Sequence, residues 1–179
     1  LSISINNSPS SVKGILEGRS ENGVNFETLL HEALHSSTMA QIFAVRDGLS
    51  KSPKAVKALK QLTLVQDKVN DYISIKSKEW RDLIYNGKIE ELDNIRAKES
   101  LTMQLYIDVL KTKSNSRIKD FEENYFKYMV DGIQEGSKKK DVSEFITFGL
   151  TNREFQDFLE HIPYSPKGKK SVWDKFVES

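Results

Sequence analysis

The sequence predicts a mainly α domain (α+β), with a small N-terminal β element and a long-helix hairpin inserted between its two ends. Three observations predict it. Apolar residues recur at spacings of three, four and seven over most of the chain, the signature of amphipathic helices. Only residues 1–6 alternate with the period of two that a strand requires. A His-Glu-x-x-His pattern lies in an early helical segment, and an apolar segment carrying one acid, Glu144, lies near the far end. The 179 residues suit a single domain. Residues 1–48 hold the strand and the His-Glu-x-x-His helix, 52–135 a helical insertion or scaffold, and 141–179 the Glu144 helix and the C-terminal helices.

Composition narrows the function. Lys and Arg number 27 against 26 for Asp and Glu, so no global field recruits nucleic acid or an anionic membrane. No apolar run reaches bilayer-spanning length, and the start lacks the basic and apolar regions of a signal peptide. A soluble chain is expected. There is no cysteine, so any zinc must be held by His with Asp or Glu. The chain opens on Leu1 rather than Met, as a piece of a longer protein does.

Leu1, Ile3 and Ile5 alternate with Ser2, Ser4 and Asn6, which reads as a short strand, either a plain edge or one that an extended peptide joins. Residues 7–25 are rich in Ser, Gly and Asn and read as a loop, with a turn at 12–16. Asn25 is the expected N-cap of a helix over Phe26–Arg46, which Gly48 and Ser50 end. Ser52 and Pro53 open the next. Its stripe of Ala55, Leu59, Leu62, Val65, Val69, Ile73, Trp80 and Leu83 runs to Tyr85, with a weak point at 74–77.

Asn86 and Gly87 break that helix, and Ile89, Leu92, Ile95, Leu101, Leu105 and Val109 carry the pattern on. After Ser114-Asn115-Ser116, a last scaffold helix is marked by Phe121, Tyr125, Tyr128 and Ile133. Trp80, Tyr125, Phe126 and Tyr128 are expected in the core. Gly136 and Lys138 to Lys140 form a solvated linker, with anion binding as the alternative. Helices over 142–150 and 152–161 follow, then a loop with Pro163, Pro166 and Gly168. A closing helix docks Trp173, Phe176 and Val177.

The chemistry concentrates in His31-Glu32-Ala33-Leu34-His35. Two histidines four apart lie one turn from each other on a helix, about 6 Å between Cβ atoms, so both imidazoles can reach one metal ion. Glu32 beside them has the position of a general base that takes a proton from a metal-activated water, the pattern of zinc-dependent hydrolases. A catalytic zinc site needs a third protein ligand. The version with a third histidine on the same helix fails, because Thr38 and Gln41 occupy the places of its glycine and last histidine. His161 is the only other histidine. A carboxylate from a later helix is the better completion, and Glu144, in otherwise apolar company, would be costly to desolvate unpaired. Its alternative role is that of a helix N-terminal acid satisfied by the dipole. His161 and Tyr164 are candidates to stabilise an oxyanion, or ordinary loop residues.

Taken together, the strand Ile3-Ser4-Ile5-Asn6, the segment 28–38 and the segment 143–156 resemble the metallopeptidase-like domains of large polyvalent phage proteins. These are multidomain proteins encoded by bacteriophages and related mobile elements, some of them packaged with the genome. The central helices match only in being helical. The resemblance implies a zincin-like, gluzincin-type arrangement in which His31, His35 and Glu144 bind Zn2+ and Glu32 is the catalytic base. Many gluzincins carry an acid four residues after the ligand glutamate to orient a histidine. Here that place is Phe148, with Asp141 or Asn152 as substitutes.

The function expected is thus zinc-dependent endopeptidase hydrolysis of a peptide or protein substrate. The alternative is an inactive zinc-binding structural or interaction module of a phage protein. Either would belong to a larger polypeptide or virion assembly, in the host cytoplasm or the virion, without membrane association. Nucleic-acid binding through 138–140 and 167–170 is a weaker reading, opposed by the near-neutral charge.

Overall fold

A computed structural model describes residues 26–132 and 141–179, the side chains of 26–29 excepted. The expected strand at 1–6, the loop at 7–25 with its Asn25 cap, Ile133 and the lysines at 138–140 lie outside the described residues. Eight helices follow in order: α1 Phe26–Arg46, α2 Pro53–Tyr85, α3 Ile89–Arg96, α4 Leu101–Lys111, α5 Asn115–Phe121, α6 Val142–Thr151, α7 Arg153–His161 and α8 Val172–Val177. Among the described residues there is no strand, only an isolated antiparallel bridge between Pro163 and Ser171. Nor is any described helix long and apolar enough to cross a membrane.

The ends of α2 follow from local chemistry. The Ser52 hydroxyl accepts a bond from the Ala55 N–H at 3.4 Å, and Pro53 occupies the first turn, where its missing N–H costs nothing. At the other end Gly87 takes φ +71°. Lys88 N–H then reaches the Leu83 carbonyl and Gly87 N–H the Ile84 carbonyl, a Schellman closure. Between these ends the helix runs unbroken through the expected weak point at 74–77. Ser77 there turns its hydroxyl 2.8 Å to the Tyr106 hydroxyl. Val65, Val69, Trp80 and Ile84 are buried, and Leu59, Leu62, Ile73 and Leu83 pack partly against them.

From Phe121 the chain continues as a π-helical segment, Glu122–Val130. Its widened turn is seen in the Asp131 N–H bonding the Phe126 carbonyl, five residues back, at 3.2 Å. The wider turn lets sequence neighbours face inward together: Tyr125 with Phe126, and Met129 with Val130, are all buried. The segment is tied to α2, since the Gln66 amide donates to the Val130 carbonyl and the Asn70 amide to Asp131 Oδ1 at 2.7 Å. Asp141 N–H bonds the Asp131 carbonyl at 2.8 Å and so sets the start of α6.

Helix α6 is enclosed nearly all round, with Val142 through Gly149 buried, as its almost wholly apolar sequence requires. It packs against α1, α2, α7 and the π-helical segment, while α2 also meets α8 and α4 meets α7. The helices of 53–130 therefore share one hydrophobic core with the C-terminal helices. Trp80, Tyr125 and Phe126 lie in that core, and Tyr128 packs partly against it. Val177 departs from expectation. It is 64% exposed, because α8 turns Val172 and Phe176, four apart, inward and leaves Val177 at its last position on the flank.

Candidate functional site

Helices α1 and α6 pack side by side, and the contact brings His31, His35 and Glu144 together. The two imidazoles follow one another along α1 with ring centroids 6.0 Å apart. Glu144 approaches from the first turn of α6, whose N-cap is the Asp141 carboxylate accepting the Ser143 N–H at 2.9 Å. Its side chain is buried, at 4% exposure, among apolar neighbours. His35 Nε2 donates to Glu144 Oε1 at 2.8 Å across 109 residues of sequence. His31 Nε2 stands 3.6 Å from the other oxygen, Oε2.

Burial by itself would raise the Glu144 carboxyl pKa, but the two imidazoles outweigh it and hold the group down to about 2. In return, the hydrogen bond to Glu144 raises His35 above its usual value against the opposing effect of desolvation, helped by the charges of Glu144, Glu32 and Asp141. Glu32 is half-buried on α1 between the two histidines. The ionised carboxylate is thus the form that this pocket favours.

The donor set is that of a His₂Glu zinc site. Glu144 Oε2 is buried and has no hydrogen-bond partner, an arrangement that costs free energy unless a cation or proton lies against it. These features fit a divalent metal. Among the described residues, however, no group of three or more His, Cys, Asp or Glu side chains forms a ready-made metal cage. The separations explain the difference. Two ligand atoms at zinc distances and tetrahedral angles are about 3.3 Å apart. His31 Nε2 and Oε2, at 3.6 Å, are close to that spacing. His35 and Oε1, at 2.8 Å, are drawn together in a direct hydrogen bond.

Other expected participants do other things. Asp141 caps α6, and the Asn152 side chain caps α7 by accepting the Phe155 N–H at 2.8 Å. His161 Nδ1 bonds the Asp157 carbonyl on its own helix, and the Tyr164 ring lies under Lys175 Nζ. None of these contacts joins His161 or Tyr164 to the histidine pair.

Two neighbours of His31 were not singled out from sequence for the contacts they make. Phe148 sets its ring 4.7 Å from the imidazole, and Thr151 Oγ1 lies 3.4 Å from Nδ1. Both could have been found from helical periodicity, since residues 144, 148 and 151 fall on one face of α6 over two turns.

Comparisons of the chain with protein-family models, with curated proteins and with solved structures return no match.

Proposed function

We propose that the chain is a gluzincin-like zinc metallopeptidase domain that hydrolyses peptide bonds within a protein or peptide substrate. We propose further that it belongs to a phage-encoded polyvalent protein, working in the host cytoplasm or carried in the virion. The observation that carries the reading is the buried, partnerless Glu144 Oε2 facing the imidazoles of a His-Glu-x-x-His helix. His31, His35 and Glu144 would hold the ion. Zinc, when bound, supplies Lewis-acid polarisation of a carbonyl and lowers the pKa of water. Glu32 takes the proton of the attacking water and passes it to the departing amine. The low pKa of Glu144 keeps it an anionic ligand across the physiological range.

One observation favours a second reading, an inactive zinc-binding module. Phe148 occupies the place where an acid would orient a histidine, and an apolar ring cannot raise ligand basicity as a carboxylate does. Metal content and peptide cleavage, measured together, separate the two. One zinc per chain is expected, lost in Glu144→Ala. Glu32→Gln should keep the metal while cleavage falls about 10²–10⁴-fold. Zinc binding without cleavage by the wild type selects the inactive module. Failure to bind zinc ends both readings.

A further inference from the structure

The hydroxyl of Thr151 has one proton, and the geometry decides where it goes. Thr151 Oγ1 lies 2.7 Å from the Thr147 carbonyl, one turn back on α6, and 3.4 Å from His31 Nδ1. A carbonyl can only accept, so the shorter bond commits the proton to Thr147. The Thr147 hydroxyl is likewise committed, donating to the Ser143 carbonyl at 2.8 Å. Oγ1 is left to accept, and His31 Nδ1 must donate to it.

We infer that Thr151 is a positioning residue that fixes His31 as the Nδ1–H tautomer. The Nε2 lone pair then points at Glu144 Oε2, 3.6 Å away and itself without a partner. Two electron-pair donors facing each other across a buried gap, with no proton between them, form half of a cation site. A free neutral histidine prefers the opposite tautomer, with its proton on Nε2, which would place an N–H where a ligand atom is needed. Phe148 holds the ring from its face, and Thr151 sets which nitrogen is bare. A backbone-anchored threonine thereby takes the task given elsewhere to a carboxylate.

The inference rests on the proposed metal site for its purpose, but its first readout needs no metal. Long-range ¹H–¹⁵N correlation spectra of the metal-free wild type, at a pH where the imidazoles are neutral, should show His31 protonated at Nδ1. The Nε2–H form there overturns the inference whatever the metal does. Thr151→Val keeps the shape and removes the acceptor. It should shift His31 toward Nε2–H and weaken zinc binding about 10–100-fold, with an unchanged circular dichroism spectrum, while Thr151→Ser restores both. Equal zinc affinity and an equal tautomer ratio in Thr151→Val and wild type overturn it. A wild type with the Nδ1–H form that binds no zinc overturns the metal reading and the positioning role with it. Zinc binding by a wild type with the Nε2–H form overturns the positioning role alone.

Discussion

The ring of Phe148 lies 4.7 Å from that of His31 at 53° between planes, one helical turn beyond Glu144 on α6. It also meets Tyr128 edge-on at 5.6 Å, so it bridges the histidine and the π-helical segment. Phe148→Ala empties that space. It should cost about 3 kcal/mol of unfolding free energy by urea titration, with Phe148→Leu recovering most of it. An alanine variant as stable as wild type would mean that the ring packs against nothing of consequence.

The Glu144–His35 pair gives the metal-free protein a stability profile with two limbs. Glu144 is depressed from 4.5 to about 2, so its contribution is full above pH 4.5 and fades as pH falls toward 2. His35 is raised from 6.5, so its contribution is full below 6.5 and fades as pH rises through the raised value. The pair should stabilise most between 4.5 and 6.5. Thermal unfolding followed across pH should show that maximum in chelator-treated wild type, and Glu144→Gln should flatten it. A profile identical in the two proteins would count against the ionised pair.

Gly149 is where α8 closes on α6. A Cβ there would fall 2.3 Å from Phe176 Cζ, and the Phe176 ring cannot easily yield, being stacked on Trp173 at 5.4 Å and edged by Phe145 at 5.7 Å. Gly149→Ala should therefore destabilise by about 1–3 kcal/mol. Phe176→Leu in the same chain should relieve part of that cost, a coupling measurable by a double-mutant cycle. Strictly additive effects would refute the clash.

Gln66, 1% exposed, satisfies the Val130 carbonyl at the end of the π-helical segment. Gln66→Leu preserves bulk but strands that acceptor. A loss of about 1–3 kcal/mol in chemical denaturation is expected. A neutral result would show that water reaches the carbonyl.

Much of the helical layout was legible because apolar period and caps agree. Ser52-Pro53 and Asn86-Gly87 mark the ends of α2 as read, and Asn152 caps α7. Glu144 stood out because a lone carboxylate in apolar company needs a partner, and the partners it meets are the two histidines. The π-helical stretch was not legible. Its buried pairs, Tyr125 with Phe126 and Met129 with Val130, exist only when the turn is widened, and nothing local to the sequence announces a π turn. Thr151 was passed over for another reason: threonine at a helix end reads as a terminator, and its contact with His31 depends on how α1 and α6 pack.

The widened turn of Glu122–Val130 also has a meaning in terms of phase. Deleting one residue there would let the helix tighten to the ordinary period and rotate everything after it by about 100°. The Asp131 carbonyl, which receives Asp141, would swing with it, and so would the point from which α6 sets out. The angular setting of Glu144 is in this sense inherited from an irregularity upstream. The extra residue acts as a spacer that aims the carboxylate at α1.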